Sequence, residues 1–134
     1  WSSDVCSSDL WIQTDDGAYT DVTNCMMLAA VPGKVGDGGA ATAVGGTATI
    51  KGANATGDTV RRFLVGPKEC EITGIAVTPA GKTLFFNVQH PGEDGKLTAL
   101  TSNWPDSQTT AGSTKRPRSA TVVVTRKDGG AIGV

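Results

Sequence analysis

The residues best suited to chemistry lie in one stretch, Arg61-Arg62-Phe63-Leu64-Val65-Gly66-Pro67-Lys68-Glu69-Cys70-Glu71-Ile72-Thr73-Gly74. Within it Glu71 falls just before an apolar, β-branched run, at the end of an extended element. A carboxylate in that place offers anionic oxygen, the donor that suits hard cations such as Ca²⁺ and Fe³⁺. A solvated turn glutamate carries the same local signature, so residue type and place leave both readings open. Gly66 and Gly74 allow the backbone to turn or to approach another segment closely. Farther on, Asn87-Val88-Gln89-His90-Pro91-Gly92 gathers amide and imidazole groups at the end of a second apolar run. The chain has 1 His, so no second imidazole completes a His-rich site. A hydrogen-bonded structural histidine is the plainer reading. Asp15 follows Trp11-Ile12-Gln13-Thr14 at the same kind of element end as Glu71, although the nearby Gly17 also suits a turn-forming aspartate.

Other chemistries lack their signatures. No GxSxG elbow supports a Ser-His-Asp triad, and neither Cys25 nor Cys70 sits in a recognisable nucleophile motif with His90. The Asp37-Gly38-Gly39 and Asp94-Gly95-Lys96 turns lack the acidic spacing of an EF-hand loop. Asn54-Ala55-Thr56 fits a glycosylation sequon, a pattern frequent by chance. Lys115-Arg116-Pro117-Arg118 could grip phosphate, or serve as a solvated loop leading into a strand. A formal net charge of -1 without a basic block argues against nucleic acid as a partner. No apolar run approaches the ~18 residues of a membrane-spanning helix. The cysteines at positions 6, 25 and 70 show no CxxC zinc pattern.

The elements that must position these groups are short strands. Residues 11–14 and 26–31 are strand-like, and the first run stops at the Asp15-Asp16-Gly17 turn. Residues 32–59 hold eight Gly and six Ala. With so little apolar area to offset ordering entropy, they read as a Gly/Ala-rich loop with at most one weak strand at 47–51. Val60–Val65 is a strand ending at Gly66-Pro67. Residues 72–78 and Thr83–Gln89 flank a four-residue Pro/Gly turn and form a hairpin. Residues 91–118 are loop, 119–126 the last strand, and Asp128-Gly129-Gly130 turns the chain into a short tail. No segment sustains the apolar i, i+3, i+4 spacing of a helix. The fold class is all-β. Hairpins of this form recur in β-propeller blades of about 40–45 residues, so the chain supplies about two to three blades of an incomplete ring.

The first ten residues are set apart. Trp1-Ser2-Ser3-Asp4-Val5-Cys6-Ser7-Ser8-Asp9-Leu10 resembles a translated short-read sequencing adapter, TGG AGT TCA GAC GTG TGC TCT TCC GAT CT, whose last two bases begin the Leu codon. Residues 1–10 are therefore read as adapter-derived, and 11–134 as native. Setting them aside removes Cys6, Asp4 and Asp9, and moves the net charge from -1 to +1. Cys25 and Cys70 remain, an even pair for which a disulfide is permitted.

Taken together, several blocks resemble the C-terminal part of the PhoX-type alkaline phosphatases. They are Leu10-Trp11-Ile12-Gln13-Thr14-Asp15, Met27-Leu28-Ala29-Ala30, and Arg62-Phe63-Leu64-Val65-Gly66-Pro67 running on to Cys70-Glu71-Ile72-Thr73-Gly74. They continue with Thr78-Pro79, Gly81-Lys82-Thr83-Leu84-Phe85, Asn87-Val88-Gln89-His90-Pro91-Gly92-Glu93, Trp104-Pro105, and Arg116-Pro117-Arg118-Ser119-Ala120-Thr121-Val122-Val123. The resemblance implies a β-propeller with calcium and iron in its central channel. It implies hydrolysis of small-molecule phosphate monoesters by a bacterial protein exported to the periplasm or beyond. By the same likeness, Glu71 is a metal ligand and Asp15 a second one. His90, with Asn87, Gln89 and Thr73, shapes the channel mouth or serves structure. Ala80 departs from the pattern where the hairpin turn usually carries Asp. The remaining metal and phosphate ligands would come from missing N-terminal blades of the same chain. The rival reading is a non-catalytic β-propeller or cell-surface β domain used for binding.

Overall fold

Alternating side chains punctuated by tight turns give the described residues eight strands and no helix. The computed structural model describes residues 10–15, 22–30, 42–49, 57, 60–107 and 115–133. The strands are β1 (Leu10–Gln13), β2 (Met26–Ala30), β3 (Thr42–Val44), β4 (Thr47–Thr49), β5 (Val60–Val65), β6 (Glu71–Val77), β7 (Thr83–Gln89) and β8 (Ala120–Thr125). They form two three-stranded antiparallel sheets, ordered β1-β2-β5 and β6-β7-β8, and a separate β3-β4 hairpin. This is the expected all-β architecture, a partial β-propeller whose ring is not closed.

The core forms where the two sheets meet. Period-two alternation along β7 buries Leu84, Phe86 and Val88 and turns Asn87 and Gln89 to the opposite face. Those three pack with Met27 of β2, Ile72 of β6, Cys25 and Cys70 in one cluster. Trp11 and Leu64 from the first sheet, and Val77, Val122 and Val124 from the second, close over it. Trp11 also meets Phe63 edge-on, with ring centroids 4.8 Å apart. The tail beyond Asp128-Gly129-Gly130 adds to this core. Ile132 is buried, and its amide donates to the Gly81 carbonyl at 2.8 Å, latching the tail onto the β6-β7 turn.

Two expectations need correction. The Gly/Ala-rich stretch holds a two-stranded hairpin where at most one weak strand at 47–51 was expected. Gly45 and Gly46 have φ of 58° and 82°, the positive values that a two-residue hairpin turn requires. Backbone pairing here makes strands without large side chains; residues 32–41 and 50–56 lie outside the described residues. Glu71 begins β6 instead of preceding it, paired with Gln89. Of the segment read as adapter-derived, residues 1–9 lie outside the described residues, and Leu10 opens β1.

Gly66 sits at the seam between the sheets. A Cβ there would lie 2.5 Å from Cys70 Sγ and 2.8 Å from Ile72 Cδ1. Gly66→Ala should therefore cost about 1–3 kcal/mol, the usual range for overpacking a filled core. Gly57→Ala, where an added Cβ meets nothing within 4 Å, should stay within about 0.5 kcal/mol. Urea denaturation of the two variants checks this. Equal midpoints would contradict the packing argument.

Candidate functional site

A cleft of about 400 Å³ opens where the end of β1 meets the start of β6. Thr14 builds that junction. Its amide donates to the Met26 carbonyl at 2.9 Å, its hydroxyl accepts from the Met26 amide at 2.8 Å, and its carbonyl accepts from the Ile72 amide at 3.4 Å. Asp15, the next residue, is thereby delivered to the wall of the cleft that Glu71 also lines. A second set of bonds ties the loop before β6 to the loop after β7. The Gly92 amide donates to the Lys68 carbonyl at 2.9 Å, and the Glu93 amide to the Glu69 carbonyl at 3.4 Å. These bring Glu69, Glu93 and Asp94 to the same cavity, with Asn24, Cys25, Lys68, Cys70 and His90.

Three residues singled out in the sequence thus share one cleft: Asp15, Glu71 and His90. Glu71 Oε1 lies 3.0 Å from His90 Nε2. His90 Nδ1 lies 3.3 Å from Glu93 Oε2, within ion-pair distance but off hydrogen-bond geometry. Glu69 is already engaged, since Thr101 donates its hydroxyl to Oε2 and Lys68 Nζ approaches Oε1 at 3.1 Å. Two non-glycine residues beside Glu71 occupy left-handed backbone, Glu69 at φ 54° and His90 at φ 32°. Such conformations persist where the surrounding structure over-determines them, and they concentrate at functional sites.

Asn87, Gln89 and Thr73 lie elsewhere, along a shallow groove on the face of the second sheet with Ser119 and Thr121. Thr73, Asn87 and Thr121 are cross-strand neighbours, and the Thr121 hydroxyl donates to Asn87 Oδ1 at 2.8 Å. Lys115 and Arg118 of the basic cluster both approach Asp106, Arg118 at 2.8 Å and Lys115 at 3.7 Å. The Arg118 hydrogen bond, with smaller help from Lys115, holds the Asp106 carboxyl below its usual range. That cluster braces a loop ahead of β8.

Cys25 and Cys70 are buried thiols, and the disulfide that the pair permitted is not formed. Burial, and then the neighbouring Cys25 and Glu71, push the Cys70 thiol from 9.0 up to about 12. Glu69, Glu93, Asp94, Asn24 and the thiol pair were not singled out as a group in the sequence. They converge through contacts between separate loops, and no local motif marks that.

The donors fit a hard cation in part. Asp15 and Glu71 present carboxylates to one cavity, and anionic oxygen is the ligand that Ca²⁺ and Fe³⁺ take. Among the described residues no group of three or more His, Cys, Asp or Glu is arranged to hold an ion. Any ion here needs further ligands from outside this set.

The family model described as alkaline phosphatase PhoX matches residues 6–92. Among solved structures, Pseudomonas fluorescens PhoX in complex with vanadate, a transition state analogue, is similar, with a TM-score of 0.63 and 34% sequence identity. The likeness covers 93% of this chain and 17% of that one, so the chain spans a small part of that protein's length. No curated protein matches the chain in sequence.

The buried Cys70 thiol sets a pH dependence. Above pH 9.0 the unfolded chain loses this proton while the folded chain keeps it to about pH 12, so stability should fall as pH rises between those values. Chemical denaturation at stepped pH should show that decline in the native protein and its reduction in Cys70→Ala. An unchanged slope in the variant would contradict the assignment. Native Cys70 should also resist alkylation until the chain unfolds.

Proposed function

The chain belongs to the PhoX alkaline phosphatase family, and from that premise we propose that it is the C-terminal part of an exported, metal-dependent phosphatase acting on phosphate monoesters. The observation that carries this reading is the meeting of Asp15 and Glu71 in one cleft between adjoining sheets. Glu71 and Asp15 would hold calcium or iron there, and the other ligands would come from preceding blades of the same chain. When bound, such an ion supplies Lewis-acid stabilisation of charge on the phosphoryl oxygens.

Electrostatics supports the need for metal. Asp15, Glu69, Glu71, Glu93 and Asp94 line the cleft against Lys68 and His90, and Lys68 is already paired with Glu69. A phosphate ester, itself anionic, would be repelled from these walls unless cations neutralised them. The chain's own part is to fix the carboxylates. Thr14 anchors the segment that bears Asp15, and the first β6–β7 pair holds Glu71 opposite Gln89. Export to the periplasm or the cell exterior belongs to the same proposal. Exposed apolar residues such as Ile12, Val65 and Val123 suit burial against further blades.

In the full-length protein, Glu71→Gln should lower bound metal and phosphatase activity together. The loss should exceed the ~10–100-fold cost of removing an outer-shell partner. Elemental analysis beside a chromogenic phosphate ester assay measures both, and full metal retention would remove Glu71 from the ligand set. The 134-residue chain alone, supplied with Ca²⁺ and Fe³⁺, should give no turnover. Measured hydrolysis would contradict a site shared among blades, while binding without hydrolysis by the full-length protein would favour the non-catalytic reading.

A further inference from the structure

We propose that His90 is the positioning residue for Glu71: its imidazole holds one carboxylate oxygen so that the other faces the cleft ready for a cation. This rests on the reading of Glu71 as a metal ligand. Among the described residues, His90 is the group found against the Glu71 carboxylate, with Nε2 at 3.0 Å from Oε1. A proton on Nε2 faces that oxygen at this distance, and Nδ1 is left beside Glu93 without a hydrogen bond. A carboxylate held through one oxygen has lost its rotational freedom before any ion arrives, and outer-shell partners of this kind tune the affinity of a ligand set.

His90 is itself held at its backbone, and its ring lies between two carboxylates. The backbone at His90 is left-handed, at φ 32°. Its amide donates to Ser119 Oγ at 3.0 Å, which pins the residue to the segment leading into β8. Glu93 Oε2 stands 3.3 Å from Nδ1 on the far side of the ring. The loop carrying His90 and Glu93 is tied to the Lys68–Glu69 segment by the Gly92 and Glu93 amides. The ring thus bridges the end of β7 to the start of β6, and its backbone conformation aims it across that gap. A histidine serving structure alone would not need to spend its Nε2 on a carboxylate that lines the cavity.

The test uses the full-length protein and measures calcium and iron retained per chain against rising EDTA. Asparagine tolerates positive φ but is too short to reach Glu71, so His90→Asn withdraws the contact without straining the backbone. Glutamine places an amide donor near the position of Nε2. His90→Asn should lose metal at about 10–100-fold lower EDTA, and His90→Gln should restore retention to near that of the native protein. The metal-free melting temperature of His90→Asn should equal that of the native protein. Metal retention by His90→Asn at the native level, beside loss in Glu71→Gln, would overturn the positioning role and leave the ligand reading intact. Native retention in Glu71→Gln would overturn both. Equal weakness of the Asn and Gln variants, or a lowered metal-free melting temperature in His90→Asn, would assign His90 to the fold and reject the proposal.

Discussion

A Cβ on Gly66 would crowd Cys70 Sγ and Ile72 Cδ1, and this close approach is where the two sheets are packed together. The glycine follows β5, and its amide donates to the Cys25 carbonyl at 2.8 Å. Its own carbonyl accepts from Asn24 Nδ2 at 3.1 Å. Cys70, just before β6, and Ile72 within it stand where a Cβ on Gly66 would go. Because the chain is extended from Cys70 onward, alternation sends Cys70 and Ile72 into the core and leaves Glu71 between them facing the other way. The close approach at Gly66 therefore packs the core beside the cleft, whose wall Cys25 and Cys70 share with Glu71. Thr14 repeats the device one strand over, where its three hydrogen bonds join β1, β2 and β6 and set Asp15 on the rim.

The cleft so formed is rich in acid and poor in compensation. Glu69 is satisfied by Thr101 and Lys68, which removes it from the groups open to a ligand. Glu71 has His90, whose ring also faces Glu93. Left-handed backbone at both Glu69 and His90 marks the two turns that bring these groups together. Carboxylates gathered in this way repel one another unless a cation or a proton stands among them. That is the physical link between the local fold and the metal-dependent reaction proposed above. It also explains why the described residues alone form a partial site: they supply negative charge and little of the positive charge that a phosphate group needs.

Much of the strand layout was legible because it rests on local chemistry. Val60–Val65 and Thr83–Gln89 match their expected bounds, since β-branched and aromatic runs end at Gly66-Pro67 and at His90-Pro91. The hairpin at β3 and β4 was harder to read. Its strands are built from Thr, Ala and Val, and only the Gly45-Gly46 pair signals the turn. Ile132 looked like part of a tail because nothing nearby in sequence shows that Gly81 will receive its amide. At the site, Asp15, Glu71 and His90 could be named singly from their places at element ends. The recruitment of Glu69, Glu93 and Asp94 depends on bonds between separate loops, such as Gly92 to Lys68, which carry no sequence signature. The split between His90 and Asn87 was also hidden. Strand alternation puts Asn87 on the sheet face beside Thr121, while the left-handed turn at position 90 swings the imidazole into the cleft.

On the reading proposed above, Glu71 is a metal carboxylate in a site completed by other blades. Anomalous diffraction from crystals of the full-length protein tests it most directly, with data collected at wavelengths that distinguish iron from calcium. An anomalous peak is expected within about 2.6 Å of a Glu71 carboxylate oxygen, with His90 on the other oxygen. Peaks confined to other parts of the channel, with the Glu71 carboxylate contacting His90 alone, would contradict it.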